Sequence, residues 1–447
     1  MPARREEEAG PRQRKGRWLG PTNGRAPAIG NAIFPTTDAR PRRDQCAAGA
    51  RAKGVIGGSY FRSSSTTTGS GLGQYPVVPH PLEVLMSQQL FSRYPADVVE
   101  HGKLGAHLAL LMPPLAALLY PFLLAAFHAN IAPVISGQSA EPALRSAAAA
   151  LFLLLAFAAP IVALLGAMTL GELAAPSVTH RRARTIALLA VAAPPLFVFL
   201  GVEFSMLHDP VPDTWVWVAF WLGMTTLAGF WRNETRAPPP ANAAPAPLRV
   251  AHGISAVGII AIFLAMHLAN HLTFILGPDT YRAVMRAMRH VYRQEFVQPV
   301  LVALFLFQVG SGVYLATHSD VRPMDRFRTF QIASGIFLAA YVLGHMNSVF
   351  VFARLYLGID SDWAFATGAP SGLIKDAWNI RLVPHYGLAA FFVLSHLAAG
   401  GRSVLLAHGV ARRFADRFLI ASATAAGLVA FVIMLGMCGA RLGFAIP

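Results

Sequence analysis

The chain has 447 residues, of which 55% are hydrophobic and only 13% charged, whereas a soluble domain is about a quarter charged; an ordinary soluble globular protein is excluded. The net charge of +15 is not a nucleic-acid signature, because residues 1–75 alone carry 13 Lys+Arg against 5 Asp+Glu, or +8, and the remainder lies in loops between apolar stretches. Two cysteines, Cys46 and Cys438, are too few for a disulfide framework, a cysteine zinc site or an iron–sulfur cluster.

Residues 1–85 are rich in Arg, Gly, Pro, Ser and Thr and show no sustained apolar periodicity. Such a segment buries too little apolar surface to offset its ordering entropy, so it reads as a disordered basic extension. It lacks an apolar stretch followed by a small-residue cleavage site, and Glu6, Glu7 and Glu8 argue against a transit peptide. A second reading is that translation begins at Met86, which opens MSQQLFSRYPADVVEHGKLG.

Nine apolar segments follow, at roughly 105–127, 146–171, 184–207, 214–231, 248–276, 297–317, 329–353, 382–407 and 417–440. About 20 apolar residues cross a bilayer as a helix, and backbone polar groups in lipid are satisfied only within helices or closed barrels. The expectation is therefore an all-α polytopic membrane protein. Its N-terminal four-helix region spans 86–231, a Pro/Ala linker 232–247, and a five-helix bundle 248–447. From residue 86 onward, the side on which the first segment starts collects 15 Lys+Arg and the opposite side 9. The excess places the N-terminal side in the cytoplasm, as in a bacterial inner membrane.

Segment 3 carries a buried acid, Glu203, read as a protonated carboxyl near the helix end beside His208, with a proton relay as the alternative. Trp215, Trp217, Trp221 and Trp231 bracket segment 4 and read as interfacial anchors. His101, His107, His128, His180 and His208 fall at helix ends. No phosphate loop, dinucleotide fingerprint, nucleophile elbow or zinc-protease motif is present, which excludes a soluble-type catalytic domain.

The second half holds histidines inside apolar segments, where an ionisable side chain is costly and marks function by default. Segment 5 has His252, His267 and His271, segment 6 ends on His318, segment 7 has His345, and segment 8 has His385 and His396. Segments 5 and 7 repeat one another. Arg249, His252, Ser255, His267 and Asn270 align with Arg328, Gln331, Ser334, His345 and Ser348, with a one-residue difference between the Ser and the deep His. Both helices enter from the same side, so His267 and His345 fall at similar depth. Neutral imidazole is a favoured axial ligand of haem iron, and two at one depth on facing helices suit one haem. With about 2 Å per metal–nitrogen bond, their facing nitrogens are expected roughly 4 Å apart.

A second pair is expected nearer the cytoplasmic side, where His396 meets either His252 or His318. His271, one turn beyond His267, is placed toward the interface, and His385 after Pro384 reads as a hydrogen-bonding or quinone-site residue. The blander reading stands beside this: a lone intramembrane histidine is more often a hydrogen-bonded packing residue than a ligand. Between segments 5 and 6, Arg282, Arg286, Arg289 and Arg293 recur at spacings of 4, 3 and 4, on one face of an interfacial helix. They suit anionic lipid headgroups. Alternatively, Arg289 and Arg293 pair with haem propionates, with Arg249 and Arg328 doing so across the membrane.

The pattern Arg-x-x-His/Gln-x-x-Ser followed by a deep His, over roughly 248–408, resembles the membrane-anchor b-type cytochromes of succinate dehydrogenase and fumarate reductase. The stretch GPDTYRAVMRAMRHVYRQEFVQPVLVALFLFQVGSGVYLATH is similar to a related group that includes fungal mitochondrial membrane proteins implicated in lipid homeostasis. The resemblance implies a b-type-cytochrome-like bundle holding one or two haem b groups, with His267 paired to His345, and His396 to His318 or His252. It also implies electron exchange with a quinone and a soluble redox subunit as partner. Two other functions fit the sequence: a lipid-homeostasis or scaffold protein on the same bundle, and a transporter whose intramembrane histidines and Glu203 handle protons.

Overall fold

A computed structural model describes residues 96–173, 177–229, 244–318 and 324–442, with the side chains of 96–107 left out. The basic extension, the Met86 start and most of the Pro/Ala linker lie outside these residues. Every regular element among them is helical. In chain order they are α1 (Ala96–Ile135), α2 (Pro142–Gly171), α3 (Val178–Val191), α4 (Ala193–Met206) and α5 (Asp213–Gly229). Then come α6 (Ala246–Leu276), α7 (Pro278–Tyr292), α8 (Val297–Thr317), α9 (Arg326–Tyr356), the short α10 (Trp363–Thr367), α11 (Leu382–Ala407) and α12 (Arg412–Met437).

Seven of these helices are long and apolar enough to cross a membrane, and α3 with α4, bent by 64°, makes an eighth. The ninth expected segment corresponds to α5, of which 17 residues are described. The protein is thus an all-α integral membrane protein. Its outer surface is correspondingly apolar: Leu154, Ile254 and Leu428 stand more than 60% exposed, which in lipid satisfies rather than offends the hydrophobic effect.

α6, α8, α9, α11 and α12 form a ring in which each helix packs on the next. The ring closes where α12 meets the last turn of α6, and a Cβ added at Gly436 would strike the Phe274–Ile275 backbone there. Glycine at Gly436 is what permits that close approach. α3 and α4 pack on the outside of α9, so the N-terminal helices and the bundle form one packed body. The joint is pinned by Arg381, at the head of α11, whose Nη1 donates to Asp213 Oδ2 at 2.6 Å. The same guanidinium lies 4.4 Å over the Phe197 ring. Gly201 admits it, since a Cβ there would collide with Arg381 Nη1.

Trp217 and Trp221 correct one expectation. Both are buried, Trp217 donating from Nε1 to Ala117 O at 2.8 Å and packing edge-on against Phe197 and tilted against Trp221. They are core residues joining α5 to α1 and α4; Trp215 is the exposed one, and Trp231 lies outside the described residues.

Two of the bundle helices depart from α geometry beside the deep histidines. Residues 260–264 of α6 form a π-turn, with Ala265 N–H bonding back five residues to Ile260 O. Residues 347–356 of α9 are π-helical as well. Such widened turns occur mostly at functional sites. The first one also accounts for the mismatch in the internal repeat: α6 has one residue more than α9 between its Ser and its deep His, and the π-turn absorbs it. His267 and His345 therefore stay opposite one another.

Candidate functional site

Inside the ring, toward the end of the bundle capped by α7, lies a cavity of about 240 Å³. Its inner wall carries His267, His271 and His345, and its mouth carries Arg289, Arg293 and Arg354. The His267 and His345 rings approach edge-on, with centroids 6.1 Å apart and planes inclined by 65°. His267 Nε2 lies 3.0 Å from His271 Nε2; in such a contact one imidazole donates and the other accepts. Phe263 stacks on His267, Tyr341 on His345 and Phe274 on His271, so the imidazoles are clamped by aromatic faces. His385 is buried behind Tyr341, with ring centroids 4.7 Å apart and no partner for its Nδ1.

His271 is a correction to the sequence reading, which sent it to the interface. Residues four apart share a helix face, and that face turns inward here. Its Nδ1 is buried without a partner. The sequence signal was available in the spacing His267–His271 itself.

The arginines of α7 do not act as one face. Tyr281, Met285 and Arg289 are turned toward the cavity, whereas Arg286 is exposed and Arg282 pairs with Asp279 in the solvent. Arg289 Nη2 donates to Ser361 O at 2.9 Å, and Arg293 Nη1 to Asp360 Oδ1 at 3.1 Å. The hydrogen bond from Arg293 holds the Asp360 carboxyl below its usual range, against a small opposing effect of burial. Burial, with Tyr292 nearby, pushes the Tyr281 phenol above its usual value. The Nε atoms of Arg289, Arg293 and Arg354 all lack a partner. Arg354 and Asp360 were not singled out in the sequence, because one closes a π-helix and the other sits in the loop after it.

Toward the opposite membrane face lies the second pair. His252 Nδ1 is 2.8 Å from Ser311 Oγ, and that hydroxyl gives its own proton to Phe307 O at 2.6 Å. His396 Nδ1 is 2.9 Å from Ser334 Oγ, which donates to Gln331 O at 3.1 Å. A hydroxyl has one proton. With the serine proton on the backbone carbonyl, Nδ1 is the donor and the imidazole keeps its lone pair on Nε2. That is the arrangement of a neutral ligating histidine, oriented by the partner of its other nitrogen. The imidazole edges rest on glycines: a Cβ at Gly312 would meet His252 Cε1 at 3.3 Å, and one at Gly335 would meet His396 Cε1 at 3.1 Å.

His318, the other candidate partner of His396, stacks on Tyr314 of its own helix and bonds to Tyr314 O and Thr317 Oγ1. The structure does not bring it to His396. Arg328 donates to Gln331 Oε1 at 2.7 Å; Arg249 stands on the same membrane side, one turn ahead of His252. Glu203 finds its partner in Asn347, which donates from Nδ2 to Oε1 at 2.7 Å, rather than in His208. In the N-terminal half, His128 Nε2 bonds to Lys375 O and His180 caps α3 through Ser177. These are structural roles.

Compared with known protein families, curated proteins and solved structures, the chain matches none of them. The functional reading rests on the site itself.

Proposed function

We propose that this protein is an integral membrane b-type haem protein that moves electrons to or from a quinone. One observation carries the proposal: a single apolar cavity joins two neighbouring intramembrane imidazoles, His267 and His345, to three guanidiniums at its mouth. A haem asks for both ends at once, nitrogen donors for iron in an apolar slot and cations for two carboxylates at the rim.

The residues fit that group chemically. His267 and His345 would ligate, and Arg289 with Arg354 or Arg293 would hold the propionates through their unpartnered Nε atoms. The cavity is tight: its 240 Å³ falls under the roughly 300–1,000 Å³ of ligand pockets. Accommodating a macrocycle requires His267 to leave His271 and the aromatic neighbours to turn. His252 and His396 are the donors for a second haem, with Arg249 and Arg328 as its carboxylate partners; Ser311 and Ser334 are positioning residues that fix the ligand tautomers. Bound haem supplies one-electron transfer at iron.

The protein's own contribution is to hold the two imidazoles, exclude water with Phe263, Phe305 and Met346, and set the electrostatics with buried arginines. Electrons leaving by the membrane plane imply a lipid-soluble acceptor, and electrons arriving from water imply a soluble redox subunit. Orientation with the N-terminal side in the cytoplasm of a bacterial inner membrane follows the Lys+Arg distribution. Counting haem in the purified full chain, as pyridine haemochrome per polypeptide, tests the proposal: two are expected, with one lost in His396→Ala. A chain that carries no haem after expression in haem-supplemented cells contradicts it.

A further inference from the structure

Next to the histidine cavity is a second recess of about 750 Å³, open sideways between α8 and the π-helical end of α9. One wall consists of Gln294, Gln298, Val302 and Leu306, four residues apart, and the other of Met346 and Phe350, again four apart. From Val297, where α8 begins, to Leu306 the helical rise is about 14 Å, about half of the roughly 30 Å hydrocarbon core. The groove is therefore one leaflet deep. It is also amphipathic along its length: Arg293, Gln294, Glu295 and Gln298 stand at its outer end, and the inner end is lined by Val302, Ala303, Leu306 and Met346 beside Asn347, whose amide is taken up by Glu203.

The charges at the outer end do not balance. Arg293 shares Asp360 with Arg289, at 3.1 and 3.9 Å, while Asp360 is two-thirds exposed. Arg354 lies behind them, and Glu295 is exposed at the rim. Three guanidiniums against two carboxylates leave one positive charge, and Arg293 Nε is buried without a partner. Of these arginines only Arg293 lines both the groove and the histidine cavity.

We propose that this groove is a specific site for one anionic phospholipid of the surrounding bilayer. Its phosphate diester, carrying a single charge, rests on Arg293 and the Gln298 amide, which suits the planar donors of guanidinium. One acyl chain runs down past Val302, Ala303 and Leu306 against Met346 and Phe350. The site shares Arg293 with the histidine cavity, but its acyl-chain wall touches none of the imidazoles, so lipid binding and haem content are read separately.

Native mass spectrometry of the detergent-purified full chain, titrated with phosphatidylglycerol and with phosphatidylcholine of the same acyl chains, tests it. One phosphatidylglycerol should bind about tenfold more tightly than phosphatidylcholine, the worth of one charge-assisted contact. Arg293→Gln should erase the preference. Ala303→Trp, which fills the exposed groove floor and changes no charge, should abolish binding of both lipids. Arg286→Gln, on the exposed face of α7, should change nothing. Wild-type binding in both Ala303→Trp and Arg293→Gln overturns the proposal, and so does an equal loss in Arg286→Gln and Arg293→Gln, which would mean surface charge alone. Haem content, measured on the same samples, reports separately on the other proposal.

Discussion

Ser334 Oγ lies 2.9 Å from His396 Nδ1 and 3.1 Å from the carbonyl of Gln331, to which its proton can go. With that proton on the carbonyl, Nδ1 donates to the serine and the lone pair of the buried imidazole stays on Nε2. Ser311 does the same for His252 from another helix. If these are ligating histidines, removing the hydroxyl frees the ring to turn and to change tautomer. Ser334→Ala and Ser311→Ala should each weaken haem binding about 10- to 100-fold, the usual effect of losing a ligand's outer hydrogen bond. Ser334→Thr should restore it. Titration of apo-protein with haem reads the outcome, and an Ala variant with wild-type affinity and spectrum would assign the serines to packing alone.

His267 and His345 act as one unit in this account. Replacing either with Ala should remove the same haem, and the double variant should lose no more, because coupled residues are not additive. His271→Ala should keep that haem, since His271 touches His267 Nε2 but is not assigned to iron. Haem retained in His267→Ala and lost in His271→Ala would move the ligand one turn along α6.

The pair Arg381–Asp213 joins the N-terminal helices to the bundle with both side chains less than one-fifth exposed. Breaking a buried pair from one side strands a charge and costs about 3–5 kcal/mol. Asp213→Ala should therefore lower the melting temperature markedly, and a double variant with Arg381→Met should recover part of the loss. Equal melting temperatures of wild type and Asp213→Ala would show that the joint is held by apolar packing alone.

Asp360 gives a pH signature at the cavity mouth. Its carboxyl is held low by Arg293, so the ion pair adds stability above the unfolded aspartate value of about 3.9. That contribution fades as pH falls through the lower folded value. Asp360 is exposed, so the effect is small. Melting curves of wild type and Asp360→Asn should converge in acid and separate toward neutral pH; a constant difference across pH 3–7 would contradict the assignment.

The fold was legible because apolar runs of spanning length admit only one answer in lipid. The approach of His267 and His345 to one another was legible too, from the repeat of Arg249 to His267 in Arg328 to His345. What escaped the sequence has physical reasons. The π-turn at 260–264 is invisible to a 3.6-residue period, although the odd residue in the repeat was its trace. Trp217 and Trp221 look like interfacial anchors by type, and only the packing of α5 on α1 and α4 reveals them as core. Ser311 gave no signal: it lies on a helix whose apolar residues show no preferred face, and its role depends on a histidine 59 positions away. Arg354 and Asp360 reach the site through a loop, which carries no periodicity to read.

The central claim is that buried imidazoles of this bundle hold haem iron. A reduced-minus-oxidised visible spectrum of the purified full-length protein addresses it directly. The account predicts a b-type difference spectrum that is diminished in His267→Ala and in His396→Ala and absent when both are changed. A well-folded, haem-supplemented wild-type protein with no such signal, or a signal untouched by both replacements, would contradict it.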